Sequence, residues 1–371
     1  MSRSTSHVVF VSALSYLKLS SSLQGTKLFE IFQIPIEIPQ KISFLRGNPT
    51  FFIRNFENCH FRLVNSKEKH YLCRVIYNKM MSYEQFWQPL TVIYEAGEAK
   101  AIARLVLEKR YGLTMADVLC GRAETIDSNE LSVLQQRLLT GEPVQYALGE
   151  AEFYGRSFHV ESGVLIPRPE TAELCQWIIA SDEHGLTRAS KKTVRDNPCS
   201  SEIKILDIGT GSGCIACTLA AELPQAQVTA WDISAEALLI AQENAKRTNV
   251  HVQFEQVDIL ITHYSIPVTP YDIIVSNPPY ICEKERGSMD RNVVEHEPEV
   301  ALFVPDDDPL LFYRAIARYA QEALNTDGCL YFEINPLYLK ELTEMLHQTG
   351  FSHVESKDDQ FGKTRFIRAC K

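Results

Sequence analysis

From Ser82 to about Leu148 the apolar residues recur at helical spacing: Phe86, Leu90, Ile93 and Tyr94, then Ala101, Ile102, Leu105, Val106 and Tyr111, then Leu131, Leu134 and Leu138. Turn signals at Gly97, Gly112, Gly121 and Gly141-Glu142-Pro143 break this run into short pieces, which predicts a small all-helical domain over 81–150. The period then changes. Phe158-His159-Val160 and Val164-Leu165-Ile166 flank Glu161-Ser162-Gly163, a hairpin pattern that would form a joint, together with the polar run Ser181–Glu202, over 151–200. Beyond it, short apolar runs alternate with longer helical patterns, the mark of parallel βαβ units over 201–371. The expected strands are Ile203–Ile208, Gln227–Asp232, His251–Gln256, Tyr271–Ser276, Cys329–Ile334, Ser352–Glu355 and Thr364–Ala369. Asp358, Asp359 and Gly362 favour a tight reversal between the last two, so an α/β sheet of seven strands should end in an antiparallel hairpin.

Charge separates off the beginning of the chain. Residues 1–80 carry net +7 and no acidic residue before Glu30, whereas residues 81–371 carry −17. This first stretch is Ser-rich and holds no sustained period of 2 or 3.6, so three readings stand side by side: a transit segment, an accessory domain, or an extension upstream of a start at Met80 or Met81. The acidic remainder argues against duplex nucleic acid as the main partner. No apolar run reaches the roughly 20 residues that cross a bilayer. Ten Cys with a single C-x-x-C, Cys214 to Cys217, complete no zinc site; no metal is expected, and reduced thiols in a cytoplasmic chain are.

Candidate chemistry gathers at strand ends. Ile203–Leu206 runs into Asp207-Ile208-Gly209-Thr210-Gly211-Ser212-Gly213 and then a helical pattern, so glycines stand where backbone must approach a ligand and a helix N-terminus offers free N–H groups. The spacing is G-x-G-x-G, and Cys214 stands where a dinucleotide motif would place its third Gly, which disfavours a nicotinamide dehydrogenase. Asp232 ends the next strand, placed to take both hydroxyls of a ribose, and Asp258 ends the third, placed to meet an adenine amine. The bland alternative is that Asp207, Asp232 and Asp258 only cap turns. Their joint position with the glycine loop favours a nucleoside ligand.

The fourth strand, Tyr271–Ser276, delivers Asn277-Pro278-Pro279-Tyr280 to the same edge. Two prolines stiffen the loop and leave carbonyl acceptors without N–H partners. A planar amide or aryl amine is a poor nucleophile; an Asn277 oxygen and the Pro278 carbonyl can each accept one of its N–H groups and hold the nitrogen against an electrophile, while Tyr280 stacks on the planar group. An ordinary proline turn is the alternative. None of His159, His184, His251, His263, His296, His347 or His353 lies in either motif, so no histidine base is expected.

Together these residues resemble the class I S-adenosylmethionine-dependent methyltransferases with an N-P-P-Y motif, and more closely the release factor glutamine methyltransferases (the HemK/PrmC family). The closer match is carried by Gly141-Glu142-Pro143-Val144-Gln145-Tyr146 with Leu148-Gly149, by Phe153–Val160 leading into Val164-Leu165-Ile166-Pro167-Arg168-Pro169-Glu170-Thr171, and by Glu297-Pro298-Glu299-Val300-Ala301-Leu302 followed by Phe312-Tyr313-Arg314. It covers about Met81 to Lys371. The resemblance implies a Rossmann-like seven-stranded sheet preceded by a helical domain that docks a protein. It implies S-adenosyl-L-methionine held by Gly209, Thr210, Gly211, Ser212, Gly213, Asp232, Asp258, Ile259 and Asn277. Substrate glutamine would sit on Asn277, Pro278, Pro279 and Tyr280, with Asn277, Pro278 and Tyr280 as the catalytic set. The implied reaction is methylation of the Gly-Gly-Gln glutamine of class 1 peptide chain release factors by a cytoplasmic monomer, without metal or covalent enzyme intermediate. Rival readings are an N6-adenine nucleic-acid methyltransferase, a glutamine methyltransferase of a ribosomal protein, and a non-catalytic adenosine-binding protein. This chain departs from the family at Ile259, where an aromatic is frequent, at Ala172, where Glu is frequent, and at Asn335, where Gly is usual. Arg168 and Glu170 would either pair at the domain joint or contact substrate.

Overall fold

A computed structural model describes residues 81–120, 128–183, 203–261 and 269–371. The three readings of residues 1–80, and most of the polar run ending at Glu202, fall outside these. The chain divides into two compact units at Leu139/Thr140.

In the first unit, α1 (Tyr83–Trp87) is followed by a 3-10 turn over Gln88–Val92, α2 (Ala96–Tyr111), α3 (Met115–Leu119) and α4 (Ser128–Leu139). Ser82 and Gln85 close a capping box on α1, each side chain accepting from the other's backbone N–H. Gly112 ends α2 in the left-handed conformation, at φ 64°. The core is Phe86, Leu90, Ile102, Val106, Leu107, Leu131 and Leu138. The face of α2 that is buried runs through Ala99 and Ala103 rather than Ala101 and Leu105, because small residues let neighbouring helices come close. Gln135 is buried among them and donates to the carbonyls of Gln85 and Phe86 (2.9 and 2.6 Å).

The second unit opens with α5 (Val144–Leu148), whose Tyr146 packs with Ala151, Val160, Val164 and Ile166. The hairpin lies one step earlier than the apolar pattern predicts. Its strands are β1 (Glu150–Phe153) and β2 (Arg156–His159), joined by Tyr154 and Gly155 at φ 49° and 70°, the two successive left-handed residues of a tight hairpin turn. Val164–Ile166 forms no strand; Val164 and Ile166 are buried as coil.

After α6 (Pro169–Glu183) come β3 (Ile203–Ile208), α7 (Cys214–Glu222), β4 (Ala226–Asp232), α8 (Ala235–Arg247), β5 (Gln253–Gln256) and β6 (Tyr271–Ser276). A short excursion follows, with β7 (Ile281–Cys282), a 3-10 turn over Glu283–Ser288, α9 (Arg291–His296), α10 (Glu299–Leu302) and β8 (Phe303–Val304). The unit ends with α11 (Leu311–Ala323), β9 (Leu324–Glu333), α12 (Leu339–Thr349), β10 (His353–Asp358) and β11 (Thr364–Cys370). The seven-stranded sheet has the order β10-β11-β9-β6-β3-β4-β5; β9, β6, β3, β4 and β5 run parallel, and β11 is antiparallel to both neighbours. Every expected strand is present. Every residue of β6 is buried, as befits a central strand covered by helices on both faces. One face packs on Tyr313, Ile316, Leu342 and Leu346, the other on Leu174, Ile178, Ile215 and Leu219. The final reversal is built on Asp359, whose Oδ1 accepts from the backbone of Phe361 and Lys363, both at 2.9 Å.

The cysteines do not all remain thiols. The register of β11 on β9 sets Cys370 opposite Cys329, and a disulfide joins them. Cys214 and Cys217 are free, and burial pushes both thiols up to about 12, which makes the C-x-x-C a packing feature without reactive thiolate. No helix of the described residues is long and apolar enough to cross a membrane.

Beside the packing of Phe153 and Phe158 on the sheet, a buried side chain ties the hairpin to the glycine loop. Asn244 of α8, with no exposed surface, accepts from the His159 N–H (2.6 Å) and donates to the carbonyls of His159 (2.9 Å) and Ser212 (2.8 Å). Asn244→Ala leaves those three backbone groups unpaired in the interior and is expected to cost about 2–4 kcal/mol, read as a lower urea midpoint with unchanged slope.

Candidate active site

The registers of the central strands decide which residues meet. Ile208 of β3 lies beside Trp231 of β4 and beside Ser276 of β6, so Gly209, Asp232 and Asn277 emerge together at the carboxyl edge. Both Gly209 and Thr210 donate their N–H to the Trp231 carbonyl (2.8 and 2.9 Å), which curls the loop back over β4.

The five loop residues are not equivalent. Gly209 and Gly211 have φ of 74° and 55°, and a Cβ on either would enter open space, so these are the positions where backbone is bare to a ligand. A Cβ on Gly213 would lie 2.9 Å from the Ala241 Cβ, so Gly213 is required by the approach of α8. Thr210 and Ser212 are buried; the Thr210 hydroxyl donates to Asp207 Oδ2 (2.7 Å) and the Ser212 carbonyl receives Asn244. Asp207 is fully buried, and desolvation pushes its carboxyl up to about 7 against the opposing pull of Thr210. Its Oδ1 has no hydrogen-bond partner.

Asp232 accepts from the N–H of Gly211 (Oδ2, 2.8 Å) and Ser234 (Oδ1, 2.9 Å), and burial raises its pKa against those bonds. Next to it Ile233 is 56% exposed, an apolar surface beside the carboxylate that the sequence motifs do not mark. Asp258 turns Oδ1 onto the Leu260 N–H (2.9 Å), and Ile259 is buried with Leu206, Ile208 and Trp231. The Ile259 side chain packs in the core, and Ile233 offers exposed apolar surface next to Asp232.

The Asn-Pro-Pro-Tyr loop is held from beneath and from both ends. Ser276 donates to the Ile208 carbonyl (2.6 Å). Asn277 Nδ2 donates to Thr171 Oγ1 (3.1 Å), Thr171 donates to Glu333 Oε2 (2.6 Å), and the Tyr280 hydroxyl donates to Glu333 Oε1 (3.1 Å). Burial raises the pKa of Glu333 and drives that of Tyr280 well above its ordinary range. Asn335 donates to the Tyr280 carbonyl (3.1 Å) and to Glu285, so the residue that departs from the family's usual Gly is a clamp on the loop. Thr171 and Asn335 stand at positions the family resemblance marks, but no motif gives them, or Glu333, a role at the site. The one trace of Glu333 in the sequence is a charged residue closing the apolar run Cys329–Phe332 at the end of β9.

Asn277, Pro278 and Tyr280 line a cleft of about 480 Å³, walled also by Arg168, Met289, Asp290 and Glu297. Arg168 pairs with Glu297 (2.6 Å) rather than Glu170, and Glu297 also takes the Ile166 N–H (3.1 Å). That buried carboxylate anchors the excursion between β7 and β8 to the cleft wall. Cleft size and the few convergent polar groups suit a small planar group more than a duplex.

Comparison with known proteins agrees with this geometry. The model of the Methyltransferase small domain family matches residues 187–299. A release factor glutamine methyltransferase of Bacteroides thetaiotaomicron is 43% identical over 295 residues, covering 79% of this chain and 99% of the relative. That of Flavobacterium psychrophilum is 42% identical, covering 76% and 96%, and that of Streptococcus pneumoniae is 35% identical, covering 74% and 93%. Shared identity of this extent over nearly the whole of each relative, on a sheet that sets a glycine loop beside Asn-Pro-Pro-Tyr, means that the chain belongs to the release factor glutamine methyltransferase family.

Proposed function

We propose that this enzyme transfers a methyl group from S-adenosylmethionine to the amide nitrogen of the glutamine in the Gly-Gly-Gln loop of class 1 peptide chain release factors, leaving N5-methylglutamine. The observation that carries this reading is Asn277: its Nδ2 donates to Thr171, which leaves its oxygen to accept, and Asn277 and Pro278 both line a cleft at the edge that holds the glycine loop.

The residues at that edge fit the cofactor. Gly209 and Gly211 leave bare backbone, the unpartnered Oδ1 of Asp207 suits an ammonium group, Asp232 has lone pairs for ribose hydroxyls, and Ile233 offers apolar surface for adenine. When bound, S-adenosylmethionine supplies a methyl group on a sulfonium, an electrophile that is already activated. What the protein adds is position. Asn277 Oδ1 and the Pro278 carbonyl each accept one N–H of the substrate amide, hold its nitrogen in line, and stabilise the N–H bonds as they grow more acidic, so that the proton leaves late to water. Tyr280 lies against the amide plane, with its own hydroxyl held by Glu333. Residues 81–150 would dock the body of the release factor, 151–200 would join the parts, and 201–371 would carry the cofactor, in a cytoplasmic monomer. Net charge of −17 over residues 81–371 speaks against an adenine in nucleic acid as substrate.

Tritium transfer from S-adenosylmethionine by the full chain is expected to label a class 1 release factor, and to label neither the factor with its Gly-Gly-Gln glutamine replaced nor adenine-rich DNA. Label on the DNA would replace this reading with N6-adenine methylation. Asn277→Ala should lower transfer by about 100-fold or more while cofactor affinity stays within about threefold, as for removal of a group that acts at the reacting centre. Asp207 gives a pH signature. Its carboxyl is raised to about 7, so it is neutral in the free protein below that pH and must ionise to pair with the ammonium of the cofactor. Affinity measured by calorimetry should therefore tighten by up to about tenfold per pH unit as pH rises toward 7 and then level off. Asp207→Asn should weaken binding and flatten the profile.

A further inference from the structure

Among the buried polar groups, one chain runs from the interior of the sheet to the reacting edge. Glu333 closes β9 with 2% of its surface exposed, and Thr171, in the first turn of α6, is equally buried. Burying a carboxylate is unfavourable, and a neutral or apolar side chain would close this strand at less cost. Its placement therefore calls for a reason beyond packing.

Hydrogen-bond polarity supplies one. Both hydroxyls facing Glu333 donate to it, Thr171 to Oε2 at 2.6 Å and Tyr280 to Oε1 at 3.1 Å, so each points its proton inward. A hydroxyl has one proton. Having given it to Glu333, Thr171 Oγ1 can only accept from its other neighbour, Asn277, and of the two ends of that amide only Nδ2 can donate. A reversed Asn277 would set oxygen against oxygen at Thr171 and would present N–H to the N–H groups of the substrate amide. The direction of the hydroxyl that donates to one buried carboxyl group is thus relayed through Thr171 to the choice of which Asn277 atom faces the cleft.

We propose that Thr171 and Glu333 are positioning residues for methyl transfer: Glu333 fixes the direction of the Thr171 hydroxyl, and Thr171 fixes Asn277 with its oxygen toward the glutamine nitrogen. This rests on the reading that Asn277 receives that nitrogen, and wild-type transfer to the release factor tests that reading first; absence of transfer there overturns both. The same carboxylate holds the Tyr280 hydroxyl, so both polar side chains of the Asn-Pro-Pro-Tyr loop take their orientation from Glu333.

The test compares Thr171→Val, Thr171→Ser and Glu333→Gln in the full chain, measuring kcat and KM for the release factor, affinity for S-adenosylhomocysteine by calorimetry, and Tm. Thr171→Val keeps the shape and removes the hydroxyl; it should lower kcat by about 30–100-fold, the range for a lost group at a reacting centre, with product affinity unchanged within about twofold. Thr171→Ser restores the hydroxyl and should return kcat to within about threefold of wild type. Glu333→Gln presents an N–H to one of the two hydroxyls and should lower kcat as Thr171→Val does. Wild-type kcat in Thr171→Val overturns the proposal. So does a Ser variant no better than Val, or a loss of kcat that tracks falling Tm and product affinity, since those are the marks of a packing role alone.

Discussion

Everything at the carboxyl edge depends on the parallel register of three strands. Because Ile208 stands level with both Trp231 and Ser276, the residues that follow each strand arrive at one height, and the glycine loop, Asp232 and Asn277 become neighbours although they are far apart in the chain. A one-residue slip of β6 would exchange its two faces and carry Asn277 to the wrong side of the sheet. The pairing is specified by burial: β6 is enclosed throughout, so any shift exposes apolar area or buries Asp272 away from the Lys204 N–H and the Asn325 amide that now satisfy it.

Upon that frame the site is built from polar groups that stability alone would not select. Asp207 and Glu333 both lie in the interior with carboxyls raised by desolvation. In both cases the folded state holds the acidic proton more tightly than the unfolded chain does, so their ionisation opposes folding as pH rises through the raised range. What compensates is elsewhere: two layers of apolar packing, and a disulfide between Cys329 and Cys370 that ties the last strand beside the one carrying Glu333.

How much of this could be read from the residues follows from distance along the chain. The central strands β3 and β6 are largely apolar runs between turn signals, and each signal acts within a few positions. The glycine loop and Asn-Pro-Pro-Tyr are equally local, since backbone approach and proline stiffness belong to the residues themselves. The apolar pattern does not locate the hairpin because the first residue of its turn is Tyr154, not Gly, at φ 49°, a conformation that Tyr rarely takes and that no pattern announces. Arg168 finds Glu297 rather than Glu170, and Cys329 finds Cys370, through pairings that exist only once the strands and the excursion are in place. Thr171, Asn277 and Glu333 come from three separate elements, so their chain has no signature in any window of sequence. Residue type indicates that Glu333 is odd in a strand; only the fold reveals what it faces.

That difference bears on how the same loop serves different nitrogen substrates. Asn-Pro-Pro-Tyr by itself offers two acceptors and an aromatic plane, which suit a carboxamide and an aryl amine alike. What surrounds it in this chain is narrower. The cleft is closed on one side by an excursion pinned through Glu297 to Ile166 and Arg168, and on the other by Tyr280, whose carbonyl Asn335 holds and whose hydroxyl Glu333 holds. Neither wall has room to splay without breaking a buried charge-assisted bond, which is the most expensive kind to lose. A flat base lifted from a duplex brings a bulky sugar-phosphate strand that must lie across those walls, where the lining offers one arginine, Arg168, already paired with Glu297, rather than a basic groove. A glutamine on the tip of a glycine-flanked loop brings a slender side chain and backbone that can follow it in. Selectivity in this fold therefore lies less in the motif that touches the nitrogen than in the pinned walls that decide what can carry a nitrogen to it.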